Sequence, residues 1–99
     1  MEISKVIVDK MYSSDKFSKW LGIEILDVSQ GYCKLKMKVR DEMTNGFGIA
    51  HGGVCFSIAD TALAFAANSH NLKSLSIETS ISLIKKINSG DIIICLLYT

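Results

Sequence analysis

One acid and a run of small residues give this chain its chemistry. Asp60 is the single charged side chain between Val54 and Asn68. Upstream of it runs Asn45-Gly46-Phe47-Gly48-Ile49-Ala50-His51-Gly52-Gly53, a glycine-punctuated loop that leads into a long apolar stretch. Gly52 and Gly53 bring backbone N–H groups to the surface with no side chain in the way, at the positive end of a helix dipole. Such a terminus suits a carbonyl oxygen that is developing negative charge. A carboxylate on a buried helix is costly unless a partner or a reaction requires it. In a poorly hydrated groove it holds a proton more tightly, which suits a general base.

The element that must position them is the helix from Val54 to Asn68. Apolar residues point in nearly every direction along it, so the expectation is a helix buried on all sides. Its alanines (Ala59, Ala62, Ala64, Ala66, Ala67) favour helix and let other backbone approach. The polar exceptions Ser57, Asp60, Thr61 and Asn68, with Ala64, fall along one stripe.

Around this helix the pattern predicts a short amphipathic helix over 3–12 and a second turn with Phe17, Trp20 and Leu21, capped by Ser14 or Asp15 and stopped by Gly22. Phe17 and Trp20 read either as core edge or as an apolar lid over a ligand. Ile23 to Val28 reads as a strand, Gln30-Gly31 as a turn, and Tyr32 to Val39 as a half-buried strand. Its Tyr32, Lys34, Lys36 and Lys38 share the solvated face. Leu75 to Leu83 alternates again and predicts a further strand, Asn88 to Asp91 a turn, and Ile92 to Tyr98 a strand covered on both faces. One long buried helix needs a larger sheet than these hairpins supply, and the last strand leaves an apolar edge for pairing. The sequence reads as cut short at its C-terminus.

Composition excludes several classes. Ninety-nine residues make one domain. A net charge of +1 is no nucleic-acid footprint. The three cysteines, Cys33, Cys55 and Cys95, fit neither a disulfide framework nor a zinc site, which points to a reduced cytoplasmic protein. His51 and His70 share no helical face with a second ligand set, so no metal is expected. No cofactor is implied. No signal peptide is expected at Met1 to Val8, and the long helix is too polar for a membrane span. Cys55, in the first helical turn, has no base beside it and is not the expected nucleophile.

Asn45, then His51-Gly52-Gly53, then Asp60 seven residues after Gly53 resembles the hotdog-fold acyl-CoA thioesterases of the phenylacetate-degradation (PaaI) type. Phe56-Ser57-Ile58-Ala59-Asp60-Thr61-Ala62 through Asn68-Ser69, Leu21-Gly22-Ile23, Glu78-Thr79-Ser80-Ile81 and Gly90-Asp91 extend the resemblance over about 15–95. It implies an α+β hotdog fold, a long helix wrapped by an antiparallel sheet, with residues 1–99 forming one thioesterase domain incomplete at its C-terminus. It implies a homodimer or homotetramer with sites between subunits, an acyl-CoA substrate, and no nucleic-acid or membrane partner. Residue by residue, the Gly52 N–H polarises the thioester carbonyl, with Gly53 beside it. Asn45 holds that carbonyl or the loop, His51 orients the loop and the thioester end, and Asp60 of the facing subunit is general base or nucleophile. Ser76, or Thr79, positions the water. Phe17 is the lid.

Two departures accompany the resemblance. Lys85-Lys86 stand where the family has a residue followed by proline, and either meet coenzyme A phosphates or form a solvated strand end. The family also runs on for about two strands past Thr99, strands that lie between those of 75–86 and 91–98. Two other readings therefore stand beside the thioesterase. One is a catalytically impaired paralogue that binds acyl-CoA or joins a mixed oligomer. The other is a hotdog dehydratase, which would need a histidine–aspartate dyad.

Overall fold

The computed structural model describes residues 2–99. In chain order the elements are α1 (Ile3–Ser13), α2 (Lys16–Leu21), β1 (Glu24–Ser29), β2 (Tyr32–Lys38), a 3-10 turn (Asp41–Met43), α3 (Gly52–Asn68) and β3 (Ile92–Tyr98). The strands form one antiparallel sheet in the order β1-β2-β3. α3 packs on β2 and β3, which is the hotdog arrangement of a long helix against an antiparallel sheet.

Local chemistry sets the boundaries. The Asp15 carboxylate accepts from the Ser18 amide at 3.0 Å and from its hydroxyl at 2.7 Å, so α2 starts there. Gly22 ends it at φ +75°, left-handed backbone that glycine adopts without strain. α3 begins two residues earlier than the apolar run suggests, because the His51 ring caps it. Nδ1 of His51 accepts from the Gly53 amide at 3.0 Å.

The core lies between α3 and the inner face of β2. Val54, Ile58, Thr61, Ala62, Phe65 and Ala66 are the buried residues of α3, a single stripe at helical spacing. They meet Cys33, Leu35 and Met37 of β2, whose lysines face out as their alternation predicts. Polar pins hold the periphery. The Ser4 hydroxyl donates to the Ser69 carbonyl at 2.9 Å, and Ser69 Oγ accepts the Gly31 amide at 2.7 Å. Ser18 Oγ lies 2.9 Å from Thr61 Oγ1, tying α2 to α3.

Gly31 gives a first test. It turns the β1–β2 hairpin at φ +73°, and a Cβ there would stand 2.7 Å from His70 Nε2 and 2.9 Å from the Thr99 carbonyl oxygen. Left-handed backbone costs a residue with a Cβ roughly 1–2 kcal/mol before any clash. Gly31→Ala is therefore expected to lower Tm by at least about 4 °C in a thermal melt followed by circular dichroism. An unchanged Tm would show that the turn tolerates a side chain.

Three expectations are corrected. The strand predicted over Leu75 to Leu83 does not form, and its apolar residues, Ile77 above all, are exposed. Alternation alone makes no strand, and among the described residues this stretch has no neighbour to complete a ladder. β3 is not covered on both faces. Ile93, Cys95 and Leu97 are half-buried, while Ile92, Ile94, Leu96 and Tyr98 are exposed. α3 is not buried all round either. β2 and β3 cover one side of it, so the stripe of polar exceptions is split, with Thr61 in the core and Asp60 exposed.

Candidate active site

The loop from Asn45 to His51 is shaped by its own backbone. Asn45 Oδ1 accepts from the Phe47 amide at 2.9 Å, the Asn45 carbonyl accepts from Gly48, and the Asn45 amide donates to Ile49. The far side of the loop is fixed by the His51 amide donating to the Met43 carbonyl and the Ala50 amide donating to that of Ile87. These bonds aim the first turn of α3. Val54 donates to the His51 carbonyl and Gly53 to the His51 ring, but no described residue accepts from the Gly52 N–H. Accepting at Nδ1 leaves the neutral His51 ring with its proton on Nε2.

Gly52 lines a cavity of about 600 Å³. Asn45, His51, Gly52 and Cys55 form one wall, and Leu83, Lys85 and Lys86 stand among the residues opposite. A donor with nothing to satisfy it, at a helix N-terminus, can hold a carbonyl oxygen or another anion. Two lysines at the same cavity favour a negatively charged ligand.

Asp60 stands elsewhere. It lines a second cavity of about 300 Å³ with Phe56, Leu63, Thr79 and Ile81. Eight residues of helix place it about 12 Å from Gly52 along α3. Within one chain the two groups cannot meet at one carbon atom. Thr79 lies beside Asp60 at this cavity, whereas Ser76 is exposed on the 71–87 stretch. A third cavity, about 320 Å³, lies across the loop from the first. Phe17, Trp20, Met43, Val54 and Ser57 line it, and His51 and Gly53 edge it. Phe17 and Trp20 sit at the edge of the core and line this third cavity. Both are about half exposed, and their rings stack at 6.3 Å with 9° between planes.

The cysteines divide by environment. Burial, with Cys95 nearby, pushes the Cys33 thiol up from 9.0 to about 12, and its Sγ donates to the Ala62 carbonyl at 3.2 Å. Burial also raises Cys95. Neither thiol is readily ionised. Two residues of the site's surroundings, one in a cavity wall and one behind it, were not singled out from the sequence. Leu83 lies close enough that a Cβ on Gly52 would stand 2.8 Å from its Cδ1. Arg40 sits behind Trp20, with Cζ 4.9 Å from the indole centre.

Fold and site together define the class. The thioesterase superfamily matches residues 47–98, more than half of the chain, and the chain belongs to that family. Among its relatives is the acyl-coenzyme A thioesterase PaaI of Escherichia coli (strain K12), 38% identical over 81 residues, which are 82% of this chain and 58% of that protein. The solved E. coli PaaI protein of the phenylacetic acid degradation operon superposes with a TM-score of 0.89 at 34% identity, over 92% of this chain and 66% of that one. A hypothetical thioesterase protein of Streptococcus pneumoniae TIGR4, solved with coenzyme A, superposes with a TM-score of 0.70 at 26% identity, over 73% and 58% of the two chains. The chain spans a little over half the length of the curated relatives it matches. Among the described residues, no helix is long and apolar enough to cross a membrane.

Proposed function

We propose that this protein hydrolyses an acyl-CoA thioester to a free acid and coenzyme A. The observation that carries the reading is the unpartnered N–H of Gly52, which starts α3 and lines a cavity with Asn45, His51 and Lys85. The similarity to an acyl-coenzyme A thioesterase and to a hypothetical thioesterase protein solved with coenzyme A supports it.

In this reading the thioester oxygen rests on the Gly52 amide, with Gly53 keeping the approach clear. His51 keeps the first turn in shape through Nδ1 and faces the thioester end. Asn45 holds the loop through its Oδ1, leaving its side-chain N–H₂ for the carbonyl. Asp60 from a second copy takes a proton from water as the water oxygen bonds to the acyl carbon, and Thr79 positions that water. The C–S bond then breaks, the acid is released, and the coenzyme A sulfur recovers a proton. As nucleophile instead, Asp60 would form an anhydride that water then opens. Two copies are required because Asp60 and Gly52 line separate cavities in one. Phe17 closes over the acyl group, and Lys85 meets coenzyme A phosphate.

A second reading, an acyl-CoA binder without turnover, is favoured by the exposure of Asp60 in the single chain. One assay separates the two. A folded sample of known oligomeric size is given a panel of acyl-CoA esters, and free thiol is measured. Thiol release above the spontaneous rate is the expected result. Binding with no release would establish the binder.

A further inference from the structure

The chain has one arginine and one tryptophan, and the fold stacks them. Arg40 follows β2, at the point where the chain turns toward the 45–51 loop. Its Nη2 donates to the Trp20 carbonyl at 2.7 Å, its Cζ stands 4.9 Å from the indole centre, and its Nε lies 3.5 Å from the Glu42 carboxylate. One guanidinium thus holds the last turn of α2 by main chain and by ring. Its own anchorage is short, since the Arg40 carbonyl accepts from the Met43 amide and the Met43 carbonyl accepts from His51. The Phe17–Trp20 stack is joined through Arg40 to the loop that presents Gly52.

We propose that Arg40 is a positioning residue that pins the Phe17–Trp20 wall against the His51 loop and so sets how well a long acyl chain binds. The inference rests on the thioesterase reading of the site. The wall borders the 320 Å³ cavity on the side of His51 away from the lysine-lined one. Gly52 lines the first cavity and the Phe17–Trp20 wall the third, with His51 at both, so an acyl group held at Gly52 must extend past His51 to meet the wall. Arginine suits the task because one planar group can donate to a carbonyl, lie on a ring and meet a carboxylate together. Its side chain is about one-third exposed and is not part of the hydrophobic core.

The test needs no turnover. Trp20, as the sole tryptophan, reports its own surroundings by fluorescence. The full chain is titrated with two thioethers that cannot be hydrolysed, S-decyl- and S-ethyl-coenzyme A. Wild-type Trp20 emission is expected to respond to the decyl compound. In Arg40→Ala the Kd of the decyl compound rises roughly fivefold to tenfold while that of the ethyl compound, followed by calorimetry, moves less than about twofold. Arg40→Lys, which keeps the charge and one donor, recovers part of the loss. The proposal is overturned if Trp20 does not respond to the decyl compound, or if Arg40→Ala weakens both compounds equally or neither. A protein that shows these binding shifts yet releases no thiol from any ester keeps the pin and loses the thioesterase reading. An Arg40→Ala chain that melts far below wild type would make Arg40 a stability residue and overturn the proposal.

Discussion

Asp60→Asn is expected to lower kcat for acyl-CoA hydrolysis by roughly 10²–10⁴-fold, the range lost with a positioned acid or base. KM should change by less than about threefold, because the amide keeps the size and shape of the acid. The stability should not move. Asp60 is exposed and belongs to none of the three ion pairs among the described residues. Within one chain Asp60 has no ion pair to lose, so an unchanged melt and oligomeric size separate a lost base from a lost subunit contact. The measurement is steady-state thiol release with a thermal melt of the same sample. Near-normal kcat in Asp60→Asn would remove the acid from the mechanism. A nucleophilic rather than a basic role would be recognised by an acyl group attached to the wild-type protein after rapid quenching.

The second large effect belongs to the Gly52 amide, and the helix start allows it to be removed cleanly. Gly52 is the first residue of α3, and His51 before it is extended, at φ −61° and ψ 138°. Proline is well suited to the first helical position, and an extended residue before it is what proline requires. Gly52→Pro thus deletes one N–H from a donor set at little cost to the helix. Loss of a single oxyanion donor lowers kcat by roughly 10²–10³-fold. Gly52→Ala is the control, since it keeps the N–H. Its Cβ meets only the end of the flexible Leu83 side chain, at 2.8 Å. The expected order in kcat is wild type, then alanine, then proline far below. Equal losses in the two variants would assign the effect to crowding by Leu83, and no loss in proline would free the amide from catalysis.

Much of this arrangement was legible in local signals. The Asp15 cap, the Gly22 stop and the lysine alternation of β2 each act within a few residues, and each element forms where that signal lies. The start of α3 is local as well, since His51 caps Gly53 from two residues away. What was not legible depends on distant partners. The alternation of Leu75 to Leu83 is as regular as that of β2, yet a ladder needs a neighbour, and the described chain brings none to it. β3 is apolar on both faces, but only the face toward α3 is half-buried. The polar stripe of α3 failed for the same reason. Thr61 is drawn inward by Ser18, 43 residues before it, while Asp60 faces the side that β2 and β3 leave open. Arg40 and Trp20 are 20 residues apart with no periodicity to link them, so only the fold reveals the pair. Asp60, Gly52 and Gly53 stood out by type and place, while the roles of Asn45, His51, Ser76 and Thr79 came from the resemblance; the fold sets Gly52 and Asp60 on separate cavities and Phe17 on a third.

That division is the crux, and mixing two inactive variants tests it. Asp60→Asn and Gly52→Pro, each inactive alone, are combined in equal amounts, unfolded and refolded together, and assayed for thiol release. If one copy supplies the amide and another the acid, hybrid dimers hold one intact site of two, and about a quarter of wild-type activity returns. A refolded mixture no more active than either variant alone would contradict a site shared between two copies.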